Sequence, residues 1–299
     1  MRIRGILPFS LLVLSTCGHG NMQAVKTRPT PTPPSTIIAL SPPKISPTHF
    51  KDIRSAVASI LNDNVKVVAF GEIHKEEASN LPSTLHHFSK NIMPLLAENG
   101  ITNIVLEHLP SGKKAHSEFK AFGKTHKLGP FLKDWFAYHA DYCGVIVAFE
   151  QAHALGISLH GGNASGEKEY NANLTRRAQL INQRTLAVIY SLLKKKKRVA
   201  AYTGALHNNI KPKAGKEDQS FGHILRKELG KGYVEVDIYL PDLFPAVEDG
   251  YLGLWGMTPP VPDEGVNLIN IKNGRYVLIL PRFKNPIINH IPKAAPSCP

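Results

Sequence analysis

Thiol chemistry is scarce in this chain of 299 residues. It has three cysteines, Cys17, Cys143 and Cys298, and no CxxC pair. Because thiolate zinc sites usually draw their ligands from closely spaced cysteines, we do not expect such a cluster. Cys143 and Cys298 could form one disulfide outside the cytoplasm, although the sequence alone does not show that they meet.

Nucleic-acid motifs and internal repeats are also missing, although the chain is basic. It has 36 Lys and Arg against 23 Asp and Glu, which gives a formal net charge of +13. Such a charge suits anionic membrane surfaces, polyanions or acidic substrates and does not select among them. The densest basic run, 194–198, follows a predicted helix. Since cations complement the negative end of a helix dipole, we interpret this run as a solvated helix end.

The amino terminus lacks an apolar run long enough to cross a bilayer comfortably. Two arginines lie within residues 1–4, and the apolar stretch 5–16 that follows is typical of a secretory signal. The segment Leu14-Ser15-Thr16-Cys17 resembles a bacterial lipobox, and this resemblance implies lipidation of Cys17. Residues 18–46 are rich in Pro and Thr, which predicts an extended tether.

These observations divide the chain into three predicted parts. We expect a signal peptide with a lipobox over residues 1–17, the tether over 18–46, and a single α/β domain over 47–299. The resulting protein would be exported to the bacterial cell envelope, either periplasmic or anchored to a membrane through Cys17.

Apolar strands alternate with amphipathic helices through the third part. The run Val67–Phe70 has no polar alternation, which is typical of a strand covered on both faces in a parallel sheet. Further strands are predicted at 104–106, 157–160 and 199–202, with helices at about 81–99, 117–122, 131–155 and 170–195. Strands separated by such helices predict a mostly parallel sheet flanked by helices, an α/β fold.

Two later segments have a different pattern. Residues 234–240 alternate apolar and polar side chains, which predicts a half-exposed strand with Glu235 and Asp237 on its wetted face. Asn273-Gly274 separates two apolar runs and predicts a C-terminal antiparallel hairpin.

Carboxylates and imidazoles follow three of the predicted strands. Glu72 and His74 come after Gly71, at which the backbone can turn sharply, and Glu107 and His207 end two later strands. Because the carboxyl ends of parallel strands share one edge, we expect these side chains to converge. His160 is a lower-ranked candidate. His108, next to Glu107, is expected to face the opposite side, so we leave it out of the site.

These motifs resemble one superfamily, which groups erythromycin-esterase-like, ChaN-like haem-binding and Tiki/TraB-like proteins. The resemblance rests on four segments, FGEIH at 70–74, IVLE at 104–107, AHALGISLHG at 152–161 and YTGALH at 202–207. It implies a helix bearing Arg or Asn as a further site element, for which the long helix offers Asn173, Arg177, Asn182 and Arg184.

Three functions are compatible with this pattern. The first is a cell-envelope hydrolase of the esterase or metallopeptidase type, acting on a small-molecule or peptide substrate. A divalent transition metal held by Glu72, His74, Glu107 and His207 would activate water. Without metal, Glu72 or His74 would be the general base, and Arg184 would stabilise the oxyanion.

The second function, which the ChaN-like branch implies, is a haem-binding lipoprotein involved in iron uptake. Candidate ligands include His86, His87, His139 and Tyr142, none of which has a diagnostic spacing. The third is a binding or scaffold module that has lost its chemistry, in which the same residues hold a structural metal or form an internal ion-pair network.

Overall fold

The computed structural model of the chain describes residues 46–73, 81–137, 141–166, 169, 171–243 and 259–282. All of them lie within Pro43–Pro299, the larger of the two units into which the chain divides. The predicted signal peptide, lipobox and tether lie outside the described residues, and so do His74 and His139. Cys143 is disulfide-bonded, and the other two cysteines lie outside the described ranges.

One eight-stranded sheet organises the described residues, with the strand order β1-β7-β8-β6-β2-β5-β3-β4. The strands are β1 (Thr48–Phe50), β2 (Val67–Glu72), β3 (Asn103–Pro110), β4 (Ser158–Asn163), β5 (Val199–Gly204), β6 (Tyr233–Tyr239), β7 (Val266–Lys272) and β8 (Arg275–Ile279). All pair in parallel except β7, which is antiparallel to both β1 and β8. The predicted α/β class and C-terminal hairpin are therefore confirmed.

Eight α-helices connect and flank these strands within the described ranges. They are α1 (Ile53–Ile60), α2 (Thr84–His87), α3 (Met93–Glu98), α4 (Lys113–Thr125), α5 (Pro130–Ala137), α6 (Tyr142–Ala154), α7 (Leu174–Lys194) and α8 (Phe221–Leu229). A π-helical turn, Phe88–Ile92, joins α2 to α3, so the helix predicted over 81–99 is three short pieces. None of the helices in the part of the chain that the structure describes is both long and apolar enough to span a bilayer.

Helices cover both faces of the sheet. On one side, here called the α6 face, Phe70, Leu106 and Tyr202 pack in a core with α1 to α6. On the other, here called the α7 face, Ala69, Val105 and Ala201 pack with α7 and α8. Alternate residues of one strand therefore enter different apolar layers, which is why β2 shows no polar alternation.

The prediction of a wetted face for β6 is wrong. Every residue of β6 is buried, and Glu235 and Asp237 are 0% exposed. Their side is covered by Arg275 from β8, whose Nε donates to Glu235 Oε1 (2.7 Å), and by the loop after β5, where the Ile210 amide donates to Glu235 Oε2 (2.7 Å). Polar residues alternate here because they bind polar groups of β8 and of the loop after β5 inside the protein.

Burial makes Glu235 a source of pH-dependent stability. Burial and the neighbouring Asp237 charge raise the pKa of Glu235 to about 8, against the opposing effect of Arg275. In the unfolded chain the same carboxyl ionises near its ordinary value of roughly 4.3. Between these two values the unfolded chain releases a proton that the folded chain keeps, so the free energy of unfolding falls as pH rises.

Replacing Glu235→Gln should remove this fall. The quantity to compare is the Tm of the variant minus the Tm of wild type. We expect this difference to be at least about 3 °C larger at pH 8 than at pH 5, since roughly 1 kcal/mol moves Tm by 2–4 °C at this size. Thermal unfolding of the full chain at both pH values measures it, with Glu150→Gln, an exposed carboxylate on α6, as the matched control. A Tm difference that stays constant with pH would contradict the assignment.

Candidate functional site

The carboxyl ends of β2, β5 and β3 form one edge of the sheet, here called the rim. Phe70 of β2 is in register with Tyr202 of β5, and Tyr202 with Leu106 of β3. These three side chains share the α6 face. Two residues further along, Glu72 therefore falls on the same face as His108, whereas Glu107 falls on the α7 face.

This register explains why His108, which the sequence analysis leaves out of the site, lies beside one of the predicted site residues. His108 does face away from Glu107, but that is the side on which Glu72 lies. His108 Nε2 is 3.1 Å from Glu72 Oε1. Side chains along β3 do alternate between the two faces of the sheet. Which residues of β3 share a face with Glu72 depends on β5, however, because β5 lies between β2 and β3 and follows them in sequence.

On the α6 face, Glu72 is the centre of a buried polar group. The Tyr202 hydroxyl donates to Glu72 Oε2 over 2.5 Å, and the His108 ring lies 5.9 Å from the Tyr202 ring between centroids. Glu72 is 4% exposed and Tyr202 is fully buried. Burial, reinforced by the charge and hydrogen bond of Glu72, raises the pKa of Tyr202 well above its ordinary value. The hydroxyl therefore keeps its proton and remains a donor at neutral pH.

Asp141 joins this group from the start of α6. Its side chain caps the helix by accepting from the Gly144 amide (3.2 Å). Burial raises the pKa of Asp141, the Glu72 charge adds to the rise, and the His108 ring opposes it. Neither Asp141 nor Tyr202 was predicted as a site residue. Asp141 falls inside the helix predicted over 131–155, which is two helices in the structure, α5 and α6, with Asp141 as the N-cap of α6.

On the α7 face, Glu107 and His207 form a second carboxylate–imidazole pair. Glu107 Oε1 lies 3.8 Å from His207 Nε2, and Glu107 Oε2 accepts from the Gly204 amide (2.7 Å). Both side chains are largely buried, at 4% and 9% exposure of the residues. The Glu107 charge also contributes to the raised pKa of Tyr202, so both carboxylates act on one region of the rim.

The tautomer of His207 follows from its other nitrogen. Nδ1 lies 3.0 Å from the carbonyl oxygen of Gln219. Because a carbonyl oxygen only accepts, Nδ1 must carry the proton in this contact. In the neutral ring Nε2 therefore has the free electron pair, and it faces the Glu107 carboxylate.

A tight turn after β5 fixes where His207 lies. The His207 amide donates to the Gly204 carbonyl (2.9 Å), and the Ala205 amide donates to the Glu72 carbonyl (2.8 Å). The turn that carries the imidazole is thus bonded to the residue that carries the first carboxylate, which couples the ends of β2 and β5.

The predicted residues of α7 lie in different surroundings. Arg184 donates to both carboxylate oxygens of Glu169 (2.8 and 2.7 Å) and to the Asn163 carbonyl (3.0 Å). Asn173 caps the helix, and the buried Asn182 donates to the Asp218 carbonyl (2.7 Å), next to the residue that holds His207. The role of Arg184 in stabilising an oxyanion stays a prediction.

The other candidate histidines lie on different elements, His160 on β4 and His86 and His87 on α2. His160 Nε2 lies 3.3 Å from Asn103 Oδ1, and its ring stacks on His116 beside β4. His86 and His87 are half-buried on α2 with their ring centroids 5.9 Å apart. Burial lowers the pKa of His87 to about 4, so its ring is neutral. Haem ligation by these residues stays a prediction.

The metal prediction also stays a prediction. Among the residues that the structure describes, no group of three or more His, Cys, Asp or Glu is arranged to hold a metal ion. Glu72 is turned towards Tyr202 and His108, whereas Glu107 and His207 face each other on the other side. The fourth predicted ligand, His74, lies outside the described residues.

Comparison with known proteins yields neither a matching family model nor a matching curated protein. Several solved structures are similar. The MARTX toxin effector domain RRSP from Vibrio vulnificus is 21% identical, with a TM-score of 0.44 over 62% of this chain and 35% of that one. The type III effector HopBA1 is 13% identical, with a TM-score of 0.46 over 80% of this chain and 96% of that one.

A third similar structure is the C-terminal region of Pasteurella multocida toxin, described as having a thiol-protease-like catalytic triad. It is 14% identical, with a TM-score of 0.42 over 63% of this chain and 25% of that one. This chain thus spans about a third of the RRSP chain and a quarter of the Pasteurella one. With TM-scores below 0.5, these similarities do not establish a shared activity.

Proposed function

We propose that the chain is a cell-envelope hydrolase of ester or amide bonds, in which the His207–Glu107 pair activates water. The observation that carries this proposal is the fixed orientation of His207. One ring nitrogen is bound to a backbone carbonyl, and the other faces a buried carboxylate across 3.8 Å. An imidazole that is oriented through one nitrogen, and whose protonated form a nearby carboxylate can stabilise, is suited to general-base catalysis.

The steps follow from this geometry. A water molecule attacks the substrate carbonyl carbon while its proton moves to His207 Nε2, and the carbonyl oxygen becomes an oxyanion. The Glu107 carboxylate stabilises the imidazolium that forms. When the bond to the leaving alcohol or amine breaks, the imidazolium returns the proton to that group. Water is consumed and the protein is regenerated.

The Glu72 group has a supporting role in this scheme. Its hydroxyl donor, Tyr202, stays protonated, and its imidazole neighbour, His108, is fixed by the carboxylate. Because Tyr202 is fully buried and already donates its hydroxyl proton to Glu72, this group does not supply the donor for the oxyanion. We therefore give the Glu72 group the role of holding the ends of β2, β3 and β5 together, and Arg184 keeps the predicted role at the oxyanion.

A mechanism assisted by a metal ion is a variant of the same proposal. A divalent ion held by the four predicted ligands would supply a more acidic water. The described ligands do not meet in one group, so the steps above run through the side chains of the chain alone.

The proposal is tested by assaying the purified full chain against a panel of aryl, alkyl and acidic esters and peptide amides. We expect turnover of at least one class, reduced about a hundredfold by Glu72→Gln, because that change removes a buried charge beside His108 while keeping the side-chain shape. Metal analysis and haemin titration on the same sample separate the alternatives.

Three results would count against the hydrolase. Saturable haemin binding with a Soret shift and no turnover would favour haem binding. No turnover and no haemin binding would favour a binding or scaffold module. Turnover that Glu72→Gln leaves unchanged would exclude the Glu72 group from the hydrolase site.

A further inference from the structure

A second buried charged group lies beside the candidate site. It consists of Glu235 and Asp237 on β6 and Arg275 on β8. Arg275 Nε donates to Glu235 Oε1 (2.7 Å), and its terminal nitrogen lies 3.8 Å from Asp237 Oδ2. The carboxylates are 0% exposed and Arg275 is 8% exposed. Two carboxylates buried with one guanidinium are costly for folding, and an apolar group of similar volume would commonly be as stable.

Both carboxylates bind the loop that carries His207. Asn208, the next residue, donates its side-chain amide to Asp237 Oδ1 (3.1 Å). Ile210 donates its backbone amide to Glu235 Oε2 (2.7 Å). The acceptors of these bonds lie on β6, an inner strand, so the loop is hydrogen-bonded to the middle of the sheet.

Three further hydrogen bonds hold the same loop, one from β6 and two from the start of α8. The Tyr233 hydroxyl donates to the Asn208 carbonyl (2.7 Å). The His207 carbonyl accepts from the Ser220 hydroxyl (3.0 Å) and the Gly222 amide (3.2 Å). With the backbone fixed at residues 207, 208 and 210, the imidazole has little freedom to leave the line between Gln219 and Glu107.

We propose that Glu235, Asp237 and Arg275 are positioning residues for His207, which hold the 207–210 loop so that Nε2 faces Glu107. The expected effect on turnover rests on the proposed function, whereas the expected effect on the position of His207 does not. None of the three needs to contact substrate. A displacement of about 1 Å at a catalytic group can cost a hundredfold in rate, so a group of this kind affects turnover without touching the reaction.

The test compares Asp237→Asn with wild type and with the exposed control Glu150→Gln, all as full chains. The new asparagine side chain keeps the shape of Asp237, but its amide has two possible orientations. In one, its NH2 group faces the NH2 group of Asn208; in the other, its oxygen is turned away from Arg275. We expect kcat to fall about ten- to a hundredfold while KM changes less than about threefold. Nitrogen NMR of the His207 ring should show one Nδ1–H tautomer in wild type and Glu150→Gln, and a mixture in Asp237→Asn.

The NMR readout keeps this inference separate from the proposed function. If wild type hydrolyses nothing and the tautomer still changes in Asp237→Asn, positioning stands and the hydrolase fails. A folded Asp237→Asn variant with wild-type kcat and an unmixed tautomer would overturn the inference. Should Asp237→Asn not fold, Asn208→Ala removes the same hydrogen bond from the loop side, and an unmixed His207 tautomer there would be equally decisive against it.

Discussion

Replacing His207→Ala should lower kcat/KM by about a thousandfold with little loss of stability. The imidazole lies beside Glu107 with Nε2 placed to take the proton of an attacking water, and general-base catalysis contributes about a hundred- to ten-thousandfold. The side chain lies at the rim with part of its surface in solvent, so alanine leaves no closed cavity. Steady-state kinetics on the best ester or amide, together with thermal unfolding, measure both effects.

A matched control for this change is His153→Ala. His153 is an exposed histidine at the end of α6, just before β4 begins and hence towards the opposite edge of the sheet. It should retain wild-type kinetics. A His207→Ala variant that is folded and retains more than about a tenth of wild-type kcat/KM would rule out His207 as the base.

Replacing Gly71→Ala should destabilise the fold by about 3 kcal/mol, which corresponds to a Tm loss of roughly 10 °C at this size. An added Cβ would lie 2.4 Å from Asp237 Oδ1, 2.6 Å from Asn208 Nδ2 and 2.9 Å from Ala205 Cα. One of these atoms belongs to the backbone and the other two bind each other, so none can move without breaking a contact. The glycine is therefore required for close packing and not for the sharp turn that the sequence predicted, because β2 continues through Gly71 to Glu72.

Gly166→Ala is the matched control, because nothing lies within 4 Å of a Cβ added there. Its Tm should stay within about 1 °C of wild type, since changes away from packed features usually cost less than about 0.5 kcal/mol. A Gly71→Ala variant as stable as Gly166→Ala would mean that β2, β6 and the 205–208 turn do not approach as closely as described.

Local sequence patterns predicted the elements whose physics is local. The unbroken apolar run of β2 reflects burial on both faces, and Asn273-Gly274 turns β7 into β8 with positive φ at both residues. The rim positions of Glu72, Glu107 and His207 follow from the rule that parallel strands end together. These features need only the residue types and their spacing.

Features that depend on distant partners were not predictable in this way. The relative position of β2 and β3 that brings His108 to Glu72 is set by β5. The burial of the carboxyl groups of β6 is set by Asn208, 29 residues from its partner Asp237, and by Arg275, 40 residues from its partner Glu235. Polar alternation in β6 has the same appearance whether water or a guanidinium satisfies the carboxylates. Only tertiary structure distinguishes these cases.

The most direct test of the central claim, that Glu107 and His207 act as one base, is a double-mutant cycle of kcat/KM. It needs wild type, Glu107→Gln, His207→Ala and the double variant on one substrate. Groups that act as a unit are strongly non-additive, so the double variant should lose no more than about threefold beyond His207→Ala. Losses that multiply in the double variant, or a Glu107→Gln variant with wild-type turnover, would contradict the account.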